Sequence, residues 1–559
     1  MKKTIFTSVM LALIGLSNVA NAQTFQWAKQ MGGSSADEGA SVTLDGFGNI
    51  YTTGSFKGTT DFDPGPLTFT LTSAGDADIF ISKLDAAGNF LWAKQLGGTG
   101  IDVGYSIIHD GSGNIYATGS FSGTVDFDPG AVGTFYLTSS GNSDIFIFKL
   151  DATGGFMWAK QMGGIGYDQG NFITLDGLGN IYTTGDFRDS VDFDPGPLTF
   201  TLTSTGNYDI FISKLDATGN FVWAKHMGGT SADRSKSIST DASGNVYTTG
   251  SFLTIADFDP GMGTVNLTSA GNTDIFISKL DAAGDFVWAK QMGGTGIDYG
   301  TSISLDAAGN IYTTGYFSQT ADFDPGTGTS DLISAGLTDI FILKLDAAAD
   351  FVWAKGMGGT QNDQSYSISH DASGNVYTTG YFQGTADFDP GSATSNLTSA
   401  GNYDLFIAKL NTAGNFVWAT QIGGTGADQG SSITLDASGN IYTTGYFQVT
   451  ADFDPGSATF NLTSLGGTDI FISKLYDPTT GIAEEFKNSD LRIYPNPIKN
   501  VVYFSSTTNV QISNLTGQIV VVENNVNILD LSKQPTGMYF ITLSDNNGQV
   551  IQKSKLVKE

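Results

Sequence analysis

All seven tryptophans of the chain occupy one position in a repeat: Trp27, Trp92, Trp158, Trp223, Trp288, Trp353 and Trp418. Successive spacings are 65, 66, 65, 65, 65 and 65 residues, and each tryptophan stands in a variant of WAKQMGG. A chain made of copies of one unit folds as a solenoid, an array or a propeller, and the unit decides which. One copy, from Gly430 to Leu475, reads GSSITLDASGNIYTTGYFQVTADFDPGSATFNLTSLGGTDIFISKL. It holds strand a (SITLD), strand b (NIYTTGYF), an excursion carrying DFDPG, and strand c (DIFISKL). Strand d (NFVWAKQ) follows. The a–b and c–d turns read D-x-x-G-N, where Asp bonds backbone amides and Gly-Asn tolerates positive φ. Strands b, c and d are apolar at nearly every position, as expected of strands covered on both faces. No segment has a 3.6-residue apolar period, which excludes helical solenoids, and β-solenoid coils are shorter.

Four short strands in a unit of this size predict a propeller blade. The chain begins its repeats on a strand d (Phe25 to Met31) and ends them on a strand c (Asp469 to Leu475). The expected fold is therefore all-β: a seven-bladed β-propeller of four-stranded blades over residues 23–475. Its last blade borrows the N-terminal strand, which closes the ring and leaves no edge. Residues 476–490 read as a polar linker. Residues 491–559 read as a compact antiparallel module, a small Ig-like β-sandwich.

At the N-terminus, Met1-Lys2-Lys3, an apolar stretch from Ile5 to Val19, and Ala20-Asn21-Ala22 form a signal-peptide pattern over residues 1–22. No later apolar run approaches the ~18 residues of a membrane span, so no transmembrane segment is expected in the mature chain. The chain has no cysteine, which excludes thiol catalysis and thiolate metal sites. A net charge of −29 argues against nucleic acid and anionic membrane surfaces as partners. A monomer is expected.

The pattern SITLDASGNIYTTGYF…DIFISKLDAAGNFVWAKQMGG resembles the bacterial beta-propeller repeat family of secreted proteins, over roughly Gln23 to Leu475. That resemblance implies the fold and fixes no activity. In the tail, Tyr494-Pro495-Asn496-Pro497, the Leu515-Thr516-Gly517 turn, Gly537-Met538-Tyr539 and the Lys553 to Lys558 segment resemble the type A sorting domain of the type IX secretion system of Bacteroidetes. The resemblance implies export to the periplasm, engagement of the secretion machinery through residues 491–559, and removal of the tail at the cell surface. The cargo is then released or attached to the outer surface. The chain ends in Lys558-Glu559, so its last residue is not itself basic.

Three columns of residues carry candidate chemistry. The tryptophans are read as wedges between blades, the large aromatic filler of a core. The DFDPG column places Asp61/Asp63, Asp126/Asp128, Asp192/Asp194, Asp257/Asp259, Asp322/Asp324, Asp387/Asp389 and Asp452/Asp454 in D-x-D pairs. Such pairs can share Ca²⁺, although a full calcium loop needs more ligands. Asp-Pro-Gly is also a good turn by itself, and no cofactor is otherwise implied.

The third column lies in the loop from strand d to the next strand a: Asp37, Asp102, Asp168, Asp233, Asp298, Asp363 and Asp428. In a propeller this loop reaches the face around the central channel. The carboxylates there are either ligand-binding groups or caps of their own loop amides. The residue after each Asp varies from copy to copy (Glu38, Val103, Gln169, Arg234, Tyr299, Gln364, Gln429). The residue two further on varies again (Ala40, Tyr105, Asn171, Lys236, Thr301, Tyr366, Ser431). Variation on a constant scaffold is what an asymmetric binding face needs, and Arg234, Tyr299, Tyr105 and Tyr366 stand out as ligand-binding candidates. Drift on a solvated loop gives the same pattern.

His109, His226 and His370 have no copy-specific acid or nucleophile beside them, so no catalytic triad is read. The leading expectation is a secreted or surface-attached, non-catalytic binding or adhesion scaffold for an extracellular glycan or protein. The alternatives are a hydrolase or lyase acting on extracellular polysaccharide at the pore face, and a purely structural surface component.

Overall fold

The computed structural model describes residues 23–130, 133–477, 493–494, 498–514, 519–544 and 550–558. The signal-peptide pattern, most of the linker, Pro495 to Pro497 and the Leu515-Thr516-Gly517 turn lie outside them. The chain divides into two units, residues 1–480 and 481–559. Among the described residues every regular element is a strand.

In the repeat unit, every copy builds the expected four antiparallel strands. The first copy has strand a at Glu38–Leu44, strand b at Ile50–Asp61, strand c at Thr70–Leu84 and strand d at Phe90–Gly98. The a–b turn shows why the sequence folds this way. Asp45 Oδ1 accepts hydrogen bonds from the amides of Phe47 and Asn49, and its Oδ2 accepts from Asn49 Nδ2 and the Tyr51 hydroxyl. Gly48 sits at φ +79°, a conformation that favours glycine. The same Asp–Asn–Tyr set recurs at Asp110, Asp176, Asp241, Asp306, Asp371 and Asp436.

The first described strand, Thr24–Gly33, pairs antiparallel with Asn461–Tyr476, the strand c of the last copy. The partners run from Thr24↔Tyr476 to Met31↔Ile470. The Gly-Gly end of each strand d also pairs with the excursion of the following copy, as Gly97↔Asp126 and Gly98↔Val125.

The core consists of apolar layers between consecutive copies. Tyr51, Ile79 and Ile81 of the first copy meet Ile107, Phe121 and Phe146 of the second. The first copy meets the last in the same way, through Val42, Ile50 and Phe56 against Tyr442, Ile470 and Ile472. Each fully buried Phe or Ile contributes about 1.5–3 kcal/mol. A polar step runs beside the layers: a serine hydroxyl on strand a accepts from the next copy's strand a. Ser41 accepts from Ile107 N, Ser106 from Ile173 N, and Ser432 from Val42 N across the first–last boundary.

The tryptophans pack edge-on against the strand-b tyrosines, as Tyr51–Trp92 at 6.4 Å and Tyr377–Trp418 at 6.2 Å. On these tyrosines lie the strand-c lysines, with Lys83 Nζ 4.8 Å from the Tyr51 ring centre and Lys409 Nζ 5.0 Å from that of Tyr377. They are lids on aromatic rings.

In the tail unit, Ile493–Tyr494, Val501–Ser513, Gly537–Ser544 and Val550–Lys558 pair in that order, and Ile519–Asp530 pairs with Val501–Ser513. Val502, Ile512, Ile541, Leu543 and Leu556 form its buried core.

Candidate functional site

The sequence marks the seven loop aspartates most strongly. All seven are fully buried. Asp102 Oδ2 accepts from Gly98 N at 2.8 Å and its Oδ1 accepts from Ser122 N at 2.9 Å. Asp168, Asp233, Asp298, Asp363 and Asp428 make the same two bonds. Asp37 accepts from Lys57 N and from the Thr60 hydroxyl. These six thus tie the end of strand d to the exit of the next strand b, Asp37 holds strand b, and none of the seven lines the cavity at the start of strand a. The capping alternative describes this geometry, and the ligand-binding one does not.

Burial raises these acids, to about 7 for Asp37, Asp168, Asp298, Asp363 and Asp428, and to about 6 for Asp102 and Asp233. The amide bonds pull the other way, and a second carboxylate at the start of strand c adds to the rise. That second column, Asp78, Asp144, Asp209, Asp274, Asp339, Asp404 and Asp469, escaped the sequence reading, because each Asp opens an otherwise apolar strand. Asp78 Oδ2 accepts from Gln95 Nε2 at 2.7 Å and from Ala74 N at 3.0 Å. In one copy His226 takes the place of the glutamine, 2.6 Å from Asp209.

The DFDPG aspartates are turn-formers. Asp61 Oδ1 accepts from Asp63 N and Phe69 N, and Asp63 Oδ1 accepts from Gly65 N. The other copies repeat the pattern, as at Asp452 and Asp454.

The variable positions behave differently. In every copy, strand a carries a bulge against strand b at the second variable position. Gly39 pairs with Gly54 and Ser41 with Thr53, so Ala40 has no partner, and the register skips Tyr105, Asn171, Lys236, Thr301, Tyr366 and Ser431 likewise. A bulge re-aims a side chain out of the ladder. These residues, with the first variable position of every copy but Gln364's, line one cavity of about 620 Å³ that draws on all seven copies. Tyr105, Arg234, Tyr299 and Tyr366 are all in its wall.

The sequence reading missed a third variable position, the x of TTG-x-F in strand b. It holds Ser55, Ser120, Asp186, Ser251, Tyr316, Tyr381 and Tyr446, each cross-strand partner of the residue after the loop aspartate. Its copy-to-copy variation inside a constant motif was the available signal.

The wall is asymmetric. Tyr299 stacks on Tyr316 with ring centres 5.2 Å apart. Tyr381 packs at 4.7 Å from Tyr403, whose hydroxyl lies 3.0 Å from that of Tyr446. Tyr446 donates to Gln429 Oε1, and Tyr366 to Gln364 Oε1. On another arc, the Arg234 guanidinium covers the Tyr208 ring at 4.7 Å, with Lys236 two residues on. Buried Asp186 accepts from Asn171 Nδ2 at 2.8 Å and from Gln169 Nε2 at 3.2 Å. Burial holds Lys236 below the ordinary lysine range, Asp186 counteracts this, and Arg234 adds to it.

The Beta-propeller repeat family matches residues 26–62, 91–120, 158–186, 287–316 and 417–446, and the Secretion system C-terminal sorting domain matches residues 492–559. The chain carries beta-propeller repeats and a type IX C-terminal sorting domain. An uncharacterized WD repeat-containing protein of Acanthamoeba polyphaga mimivirus is 24% identical over 503 residues, covering 75% of this chain and 36% of the relative. Regulatory protein FlaEY of Caulobacter vibrioides is 25% identical over 279 residues, covering 48% and 28%. The chain therefore spans about a third of the length of the curated relatives it matches. Among solved structures, Sqt1 from Chaetomium thermophilum is 10% identical with a TM-score of 0.36, covering 82% of this chain and all of that one. The extracellular domain of a hybrid two component system from B. thetaiotaomicron is 12% identical with a TM-score of 0.17, covering 96% and 98%. At such TM-scores neither likeness bears on fold or function. The sorting tail of this beta-propeller repeat protein points to a secreted or cell-surface location and to engagement of the secretion machinery.

Proposed function

We propose that this beta-propeller repeat protein is a seven-bladed ring, closed by its N-terminal strand, that serves outside the cell as a non-catalytic binding or adhesion scaffold. The tail, read as an Ig-like sandwich, addresses the chain to the type IX machinery and is then removed. The closure reading is supported by the pairing of Thr24–Gly33 with Asn461–Tyr476 and by the layer shared by the first and last copies. The binding reading rests on one observation: the bulged variable position of all seven copies, with most of its variable neighbours, lines a single cavity in a frame that is otherwise constant. The cavity size suits a small ligand or the end of a chain.

Glycoside hydrolysis in its usual form uses two carboxyl groups flanking the scissile bond. Among the described residues lining the cavity, Glu38 is the one carboxylate, which favours binding over hydrolysis. The test is capture of the full-length chain on arrays of extracellular glycans and proteins, beside a Tyr299→Ala/Tyr366→Ala/Tyr446→Ala variant with an unchanged melting curve. A ligand held by the wild type and lost by the variant is expected. Turnover of that ligand, or equal capture by the variant, would sink the proposal. Capture of nothing at all would favour a structural surface role.

A further inference from the structure

We propose that the cavity takes a carboxylated sugar, the uronate unit of an acidic glycan, with its carboxylate on Arg234 and Lys236 and its ring faces on the tyrosine arc. This rests on the reading of the cavity as a binding site and adds the class of ligand.

The charge balance is local. The chain as a whole carries −29, yet two cations stand two residues apart on one strand, Arg234–Thr240, both in the cavity wall. Lys236 is the bulged residue, since Ser235 pairs with Gly250 and Ser237 with Thr249. Neither cation forms a salt bridge among the described residues. Arg234 is held by the face of Tyr208, which leaves its guanidinium edge and its forked donors open to a carboxylate. The neighbouring carboxylate, Asp186, is fully buried and turned to the side-chain amides of Gln169 and Asn171. On this arc two basic groups stand against one buried carboxylate, and the lining carboxylate Glu38 belongs to the first copy's strand a, so the arc itself is the complement of one carboxylate.

The rest of the wall selects a polyol over an apolar side chain. Tyr105, Tyr299, Tyr316, Tyr366 and Tyr446 offer flat half-buried rings with a hydroxyl at the rim. Tyrosine suits a ligand that is apolar on one face and hydroxylated at its edge. Gln169 and Asn171 give their amide N–H groups to Asp186, so their side-chain oxygens remain as acceptors for sugar hydroxyls. Thr301, Ser431 and Gln429 add further polar groups, whereas aliphatic lining is confined to small patches such as Val103 and Ala40.

The experiment is titration calorimetry of the full-length chain with three probes: trigalacturonate, its methyl ester and a glucuronate-ended oligosaccharide. The free acids should bind at least ~10-fold more tightly than the ester, the size of one charge-assisted contact of ~1.5–3 kcal/mol. Arg234→Gln/Lys236→Gln should abolish that preference. Tyr316→Ala should weaken acid and ester alike. A preference for one acid over the other names the sugar. If the ester binds as well as the acids, or if the double variant keeps its preference, the anionic inference falls and the binding site stands. If no uronate binds but an array ligand is captured through the same tyrosines, the inference is again overturned while the broader reading survives. Loss of both removes the two together. Should the glutamine pair unfold, Lys236→Met alone must still lower the preference.

Discussion

Replacing Ala28 and Ser473 by cysteine tests the closure of the ring. The two face each other across the pairing of the first strand with the last strand c, and both are buried and small. The Ser473 hydroxyl makes no hydrogen bond, so its loss costs little. Facing residues of an antiparallel pair have Cβ atoms about 4.5–5.5 Å apart, close to the span that a disulfide needs. The wild type has no cysteine, so any bridge in the variant is this one. It would close a loop of about 445 residues, from 28 to 473. The chain-entropy relation gives about 6 kcal/mol for such a loop, above the ~5 kcal/mol that bridges reach in practice, so a gain of ~4 kcal/mol is expected. With unfolding entropy of about 2.1 cal/mol/K per residue over ~450 residues, this raises Tm by roughly 4 °C. Non-reducing electrophoresis should show a compact monomer that reverts with reductant, and the melting gain should revert with it. Two thiols that stay free in the native protein and react after denaturation would refute the strand pairing.

Three more outcomes follow from the aspartate columns. A Cβ on Gly97 would lie 2.1 Å from the Asp78 carboxyl carbon, so Gly97→Ala should cost ~1–3 kcal/mol in urea unfolding. Combined with Asp78→Ala, it should cost less than the two changes summed. The loop aspartates, raised to about 6–7 by burial, hold their protons more tightly when folded. Their stabilisation is complete below their ordinary value near 4 and is lost as pH rises through 6–7. The turn aspartates such as Asp45 run the other way: burial opposes the charge, but bonds from Asn49 and Phe47 hold the acid below its ordinary range, so that stabilisation is lost on strong acidification. Tm should therefore peak at about pH 4–5 and decline toward pH 8; a steady climb over that range contradicts the assignment. At the DFDPG turns, where Oδ1 of both aspartates already serves backbone amides, Tm should be the same in excess calcium and in chelator; a rise with calcium would make these turns metal sites.

The strand order was legible because seven near-identical copies average out local ambiguity: a D-x-x-G-N turn that reads one way in one copy reads so in all. The pairing of Phe25 to Met31 with Asp469 to Leu475 was legible from phase alone, since the repeats start on d and stop on c. The cavity was legible in part. Tyr105, Arg234, Tyr299 and Tyr366 were singled out because they vary on a fixed frame, and they do meet in one wall. The role of the seven loop aspartates stayed open in the sequence because spacing does not tell a carboxylate aimed at solvent from one turned back onto Gly98 N and Ser122 N. Tyr316 and Tyr446 were missed because cross-strand register, not nearness in sequence, brings them beside Tyr299 and Gln429.

Hydrogen exchange of the full-length chain with and without its captured glycan tests the central claim most directly. Slowed exchange should concentrate at the bulged starts of strand a, at Gln169–Leu175, Arg234–Thr240 and Tyr299–Leu305, and around Tyr446. Protection confined to the DFDPG excursions, with strand a unchanged, would place the ligand elsewhere and contradict the account.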